Sequence, residues 1–229
     1  MKIMKIVLIG IFLVTSSASA KTTDEQKLLR KAGYVLQEVL ESPDIEIPEA
    51  LIRRAKAVIV FPTMIKGGFM VAARYGKGVV AVRSAKTGRF GPPAFVYTAG
   101  VSFGFQIGAE AVDLILLVMS PRGIEGLLKN KFTLGVDAAV TVGPVGRHAE
   151  AGTDILMQGE IYSYSRSKGA FAGVSLKGAV ISTDRDSNWN YYNMPVTSEE
   201  ILLTRKIKKL PASGRRYIKE LNIMFPPSK

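Results

Sequence analysis

Apolar residues along the chain follow two different periods. Between Thr23 and Glu41, Leu28, Leu29, Ala32, Val35, Leu36, Val39 and Leu40 recur at helical spacing, which predicts an amphipathic helix. Thr23 and Gln26 are placed as a capping box at its start, and Ser42-Pro43-Asp44 stops it. Pro48 can open a short second helix that runs through Arg54. From Ala55 onward the pattern becomes short runs rich in β-branched and aromatic residues: AKAVIVFP, FMVAARY, GVVAVRS, AFVYTAGVSF, AVDLILLVM, FTLGVDAAVTV, ILMQGEIYSYS and GAFAGVSLKGAVIS. Gly, Pro or Ser separates them, so they predict an antiparallel meander, with Tyr75-Gly76-Lys77-Gly78 as its clearest hairpin.

Nineteen of the 22 glycines lie between Gly67 and Gly178, inside the strand region. Glycine within strands marks bulges, bends or close backbone approach, so the sheet is expected to be strongly curled or barrel-like. At the C-terminal end, Thr197 and Glu200 form a second capping box opening a helix over Ser198 to Leu210, which Pro211 ends; Arg215-Arg216-Tyr217-Ile218-Lys219 follows. The fold class expected is α+β: one mainly antiparallel, Gly-rich curled sheet flanked by N- and C-terminal helices.

Composition narrows the chemistry. The 229 residues include no cysteine and one histidine, which removes thiol nucleophiles, disulfides and Cys-based metal sites and leaves too few imidazoles for most catalytic metals. No cofactor is implied. The formal net charge is +12, and it is segregated: +2 over residues 1–20, −3 over 21–49, +9 over 50–109, −3 over 110–200 and +7 over 201–229. Such blocks fit docking on a polyanion better than general solubilisation.

The first twenty residues select the polyanion. Lys2 and Lys5 precede an apolar run from Ile6 to Val14, and Ala18-Ser19-Ala20 supplies a small-x-small cleavage pattern. Residues 1–20 therefore read as a secretory signal peptide and 21–229 as one domain, with a basic helical tail from about residue 197. Export to the periplasm or the exterior argues against nucleic acid and for an anionic membrane surface, with which the protein would associate peripherally. Each Lys or Arg near such a surface contributes about 1 kcal/mol.

Three other motifs have plainer explanations. Gly100-Val101-Ser102-Phe103-Gly104 has the nucleophile-elbow spacing, with Asp113 or Asp137 and then His148 in hydrolase order, yet its glycines continue inside a strand-like stretch. Residues 94–119 are apolar enough to suggest a membrane helix, but Glu110 and Asp113 interrupt them, so two buried strands are expected. Asp184-Arg185-Asp186-Ser187-Asn188-Trp189 imitates the opening of a calcium loop but has Trp189 where glycine is needed and Pro195 in place of the closing glutamate; a polar turn is expected.

From Ala55 to about Tyr192 the phrases AKAVIVFP, KGGFMVAARYGKGVV, PPAFVYTAGVSFGFQIGAEAVDLILLV, LGVDAAVTVGPVGRHAEAGTD and IYSYSRSKGAFAGVSLKGAVISTD occur in order. In these the chain resembles the SYLF lipid-binding domain family, also described as an actin-binding domain, and with the signal peptide its bacterial exported branch. The resemblance implies a non-catalytic domain that binds phosphatidylinositol phosphates or other anionic lipids. Actin-like filament binding by a scaffold module is the alternative that it offers. It also implies a fold role for Gly76, Gly78, Gly104, Gly108, Gly143, Gly146 and Gly173. Charge distribution, independently, marks Arg53, Arg54, Lys56, Lys66, Arg74 and Lys77 from the acid-free block, with Arg205, Lys206, Lys208, Lys209, Arg215 and Arg216 from the tail, as candidate lipid-binding residues. A protein partner, of unknown identity, is the other expectation.

Overall fold

A computed structural model describes residues 22–42, 47–69, 71–103, 108–129, 131–144, 159–167, 170–171 and 176–227. The signal-peptide reading of residues 1–20, His148, Gly104, Gly146 and Gly173 lie outside them.

Helix α1 spans Asp24–Leu40, opened by the expected capping box in which Thr23 Oγ1 accepts from the Gln26 N–H and the Gln26 side chain accepts from the Thr23 N–H. Leu29, Ala32, Val35, Leu36 and Val39 form its buried stripe. Helix α2 is Glu49–Arg54, entered at Pro48. Among the described residues nine strands follow: β1 Ala57–Phe69, β2 Val71–Val82, β3 Ala94–Phe103, β4 Gly108–Val118, β5 Lys131–Thr133, β6 Val140–Val142, β7 Ile161–Ser167, β8 Ala170–Phe171 and β9 Val180–Thr183. They pair in the order β5-β9-β3-β2-β1-β4-β7-β6, with β8 on β7. Every pairing is antiparallel except β6 on β7, and the sheet curls into a half-barrel. The fold is α+β with a curled sheet.

Alternate residues of the central strands enter two different cores. Val58 and Val60 of β1 with Ile115 and Leu117 of β4 pack under α1 and under helix α6, Ala212–Met224. Ala57, Ile59 and Phe61 with Leu114, Leu116 and Val118 pack on the opposite face against Leu127 of helix α3, Pro121–Leu128, and Ile201 and Leu202 of helix α5, Ser198–Leu202. Burial on both faces explains why these strands read as unbroken apolar runs.

The sheet is not the simple meander expected, because β4 returns to pair with β1 instead of β3; four local details also differ from the sequence reading. Tyr75-Gly76-Lys77-Gly78 is not a hairpin but the middle of β2, and the β1–β2 reversal falls between Phe69 and Val71. Glycine is needed at Gly78 because a Cβ there would lie 2.4 Å from Phe61 Cδ1 and 2.6 Å from the Val60 oxygen. This crowding coincides with a register shift in β1 between Val60 and Ile65, where Thr63 adopts φ 65° and its N–H donates to Asp113 Oδ1 at 3.0 Å. Second, Asp184 to Trp189 is not a turn: Asp184 caps helix α4, Arg185–Tyr192, accepting from the Ser187 N–H at 3.1 Å. Third, the helix expected over Ser198 to Leu210 ends at Leu202, and the chain then turns out through Arg205 at φ 51°. Finally, Pro211 does not end a helix but opens one, since Arg215 to Lys219 lie within α6. Residues 94–103 and 108–118 are the two strands expected of the long apolar stretch.

Candidate functional site: a basic cleft at one end of the sheet

At one end of the sheet, β1 begins, β2 and β4 finish, and α2 arrives. Arg53 and Arg54 occupy the last turn of α2, where cations complement the helix dipole. Lys56 links the strand ends: its N–H donates to the Val118 carbonyl at 2.8 Å, and its own carbonyl accepts from the Arg83 N–H at 2.7 Å. Arg53, Arg54, Lys56 and Arg83 line an open cleft of about 680 Å³ whose wall also carries Met119 and Ile124. Glu160 is the acid in that lining, and its carboxylate accepts from the Ala139 N–H at 2.8 Å.

The four cations are not equivalent. Arg83 donates from Nε to the Ala55 carbonyl at 2.8 Å, from Nη1 to the Gly88 and Pro226 carbonyls at 2.7 and 3.2 Å, and from Nη2 to the Ile52 carbonyl at 3.2 Å. Its guanidinium also lies 4.5 Å from the Phe90 ring centroid, and burial pushes its pKa down from the usual arginine value. It is a clamp joining α2, the β2–β3 turn and the C-terminal segment. Arg53 Nε donates to Glu49 at 2.8 Å. Arg54 is exposed, and Lys56 is half-buried. From the tail, Arg205 reaches the same end, donating from Nη2 to the Arg89 carbonyl at 3.1 Å.

The other candidates sit elsewhere. Lys66 lies ten residues further along β1 than Lys56, roughly 30 Å away at about 3.3 Å per residue. It shares a cross-strand row with Arg74 of β2, Gly100 of β3 and Glu110 of β4. Arg74 is 4% exposed and packs over Gly100, and burial pushes its guanidinium pKa down. Lys77 points to the helix-covered face and pairs with Asp184 at 2.8 Å. Lys206 pairs with Glu200 at 2.6 Å and Arg216 with Glu220 at 2.8 Å. Arg215 donates to the Leu210 carbonyl at 2.5 Å, and Lys208 and Lys209 are exposed between α5 and α6. The structure thus gathers Arg53, Arg54, Lys56 and Arg205 at one end and distributes the rest. Sequence reasoning missed Arg83, although it stands in the acid-free block that was singled out.

The hydrolase arrangement finds no geometry among the described residues. Ser102 pairs with Ala72 inside the β2–β3 ladder, where an elbow would need a sharp turn. Asp113 accepts from Thr63 and Arg166, and Asp137 accepts from the Thr133 N–H at 2.6 Å. In the cleft itself, the Ser120 hydroxyl caps α3 by accepting from the Gly123 N–H at 3.0 Å. What the cleft offers a ligand is positive charge and N–H donors beside an apolar wall. Among the described residues no three His, Cys, Asp or Glu side chains gather to hold a metal, and no helix is long and apolar enough to cross a membrane.

The fold is thus a half-barrel sheet with helices on both faces and a cationic cleft at one end. A family model described as Ysc84, Las17-binding protein actin regulator, matches residues 99–222. The SH3 domain-containing YSC84-like protein 1 of Homo sapiens is 34% identical over 179 residues, covering 76% of this chain and 52% of that protein. Protein YSC84 of Saccharomyces cerevisiae is 32% identical over 203 residues, 87% of this chain and 42% of the yeast protein. The SH3 domain-containing protein PJ696.02 of Schizosaccharomyces pombe is 33% identical over 182 residues, 76% and 42% respectively. The chain belongs to the Ysc84, or SYLF, family. It spans about half the length of the curated relatives that it matches.

Proposed function

We propose that this protein is an exported, non-enzymatic domain that docks peripherally on anionic phospholipid, phosphoinositide-like headgroups included, through the basic end of its sheet. The observation that carries the reading is the convergence of Arg53, Arg54 and Lys56 on one open cleft where, among the described residues, a single lining carboxylate is already engaged by a backbone N–H. Arg54 and Lys56 are the residues that meet the headgroup; Arg205 adds charge at the rim, and Arg83 holds the three chain segments that position them. Met119 and Ile124 give the cleft an apolar wall against which the glycerol end of a lipid can rest.

Vesicle co-sedimentation tests the proposal. Binding to anionic vesicles should exceed binding to neutral ones and weaken as salt rises, because exposed charges are screened. Arg54→Ala with Lys56→Ala removes about 2 kcal/mol of attraction, roughly thirtyfold in affinity. Equal binding to neutral and anionic vesicles would sink the reading.

A second reading, binding of a protein partner such as an actin-like filament, draws on the matched family description, which names a Las17-binding actin regulator. It predicts capture of a filament that survives the same two substitutions.

A further inference from the structure

Among the described residues, the helix layer does not cover the whole outer face of the sheet. Beyond the N-terminal end of α1, the outward positions of four adjacent strands carry almost only apolar side chains: Ile65 of β1, Ala73 and Tyr75 of β2, Val101 of β3, and Ala109 and Ala111 of β4. Ile65 is 57% exposed, Tyr75 51% and Val101 62%. Tyr75 is steadied by Tyr97, whose ring centroid is 6.3 Å away. Isolated exposed apolar residues are ordinary, but a contiguous patch of this kind marks an interaction surface.

The rim identifies the occupant. The groove between α1, α4 and this face is lined by Asp24, Glu25 and Asp186 together with Lys27, Lys31 and Lys77, three acids against three cations. On the β4 side, Asp113 pairs with Arg166 at 3.3 Å. A neutral rim of mixed sign has no net attraction for an anionic membrane, in contrast to the basic cleft. An apolar centre inside a mixed-charge rim is the anatomy of a protein interface. Large side chains at Ile65, Tyr75 and Val101 alternate with small ones at Ala73, Ala109 and Ala111, a pattern that a copy turned through a two-fold axis can match, large against small. The exposed parts of these residues amount to roughly 500 Å² per copy, so two copies would bury about 1,000 Å², the lower limit for a specific and reversible interface.

We infer that this sheet face is the docking surface for a second copy of the chain, forming a two-fold dimer independent of the basic cleft. Because each copy carries a formal charge of +12, repulsion between the copies opposes association and is relieved by salt. Dimerisation therefore strengthens with ionic strength, opposite to binding of an anionic surface.

Analytical ultracentrifugation of the full chain over a concentration series, at about 0.05 M and about 0.5 M NaCl, tests this. The expected result is a reversible monomer–dimer equilibrium, tighter at the higher salt, that Val101→Lys and Tyr75→Lys each weaken about tenfold or more while Arg54→Ala with Lys56→Ala leaves it intact. Thermal melting by circular dichroism at a concentration where the chain is monomeric should be little changed by Val101→Lys, the more exposed of the two positions. Val101→Thr, nearly the same shape with a hydroxyl, gives a smaller weakening and keeps the test readable if lysine disturbs the strand. A monomer at every concentration, a dimer that these substitutions leave untouched, or a dimer dispersed by salt overturns the inference. So does binding of neutral vesicles that Val101→Lys abolishes, which would assign the face to lipid.

Discussion

Gly78→Ala probes the crossing of β1 and β2 that shapes the sheet. The added Cβ would meet Phe61 Cδ1 at 2.4 Å, Phe61 Cε1 at 2.7 Å and the Val60 oxygen at 2.6 Å. Phe61 is fully buried, and the Val60 carbonyl belongs to the backbone of the central strand, so neither can withdraw freely. Overpacking of this kind costs about 1–3 kcal/mol, and a contact with fixed backbone places Gly78→Ala near the upper figure. For a domain of this size about 3 kcal/mol corresponds to a fall in Tm of roughly 6–12 °C. At Gly76 the nearest atoms are Met64 Cα and Cβ, both at 3.1 Å, so Gly76→Ala should cost about 1 kcal/mol. Urea unfolding followed by far-ultraviolet circular dichroism measures both. Combining Gly78→Ala with Phe61→Leu removes the ring contact but not the carbonyl contact, so the pair should be less destabilised than the sum of its singles by about 1–2 kcal/mol. A Gly78→Ala protein within about 0.5 kcal/mol of wild type, or one more stable than Gly76→Ala, would refute the close-approach explanation.

Two further predictions concern polar ties. Burial alone would raise the Asp184 pKa, but hydrogen bonds from Lys77 and Ser187 outweigh it and hold the carboxyl below its ordinary range, while the hydrogen bond to Asp184 raises Lys77. The carboxyl's contribution is therefore present above the unfolded value of about 3.9 and lost as pH falls through the lower folded value; that of Lys77 is present below about 10.4 and lost as pH rises through its higher folded value. Asp184→Asn keeps a capping side chain and should flatten both limbs of a urea-midpoint profile, at a neutral-pH cost under about 1 kcal/mol because Lys77 is half exposed; an unaltered profile would contradict the pairing. Arg83→Lys cannot serve four carbonyls and should cost about 2–3 kcal/mol in the same unfolding assay, whereas a cost near zero would remove the clamp from the account.

What the sequence made legible was mostly local or strongly periodic. Both capping boxes, at Thr23 with Gln26 and at Thr197 with Glu200, act within one turn and appear where they were expected. The paired cores follow from the apolar runs of β1 and β4. Residues 75–78 look like a turn but lie in a strand, because the demand for glycine there comes from Phe61 and Met64 on the neighbouring strand, which no local pattern contains. Helix α3 was missed although Ser120-Pro121 is an N-cap followed by proline in the first turn. Helix α4 was read as a turn because its residues are polar and aromatic without an apolar stripe; it is held to the sheet by Asn188, which accepts from the Phe95 N–H at 2.8 Å and donates to its carbonyl at 3.0 Å. The charge blocks identified cations but not their placement, since Lys56 immediately precedes β1 whereas Lys66 lies towards its other end. Nor could a count separate Arg54, which is exposed, from Arg83, whose donors are consumed by carbonyls.

That separation of the two ends supplies the most direct measurement. Arg54→Glu with Lys56→Glu, and separately Lys66→Glu at the far end of β1, should be compared for co-sedimentation with vesicles containing anionic lipid at low salt. Docking through the basic end predicts that the first pair abolishes binding while Lys66→Glu leaves most of it. Equal losses from the two ends, or a loss confined to Lys66→Glu, would contradict it.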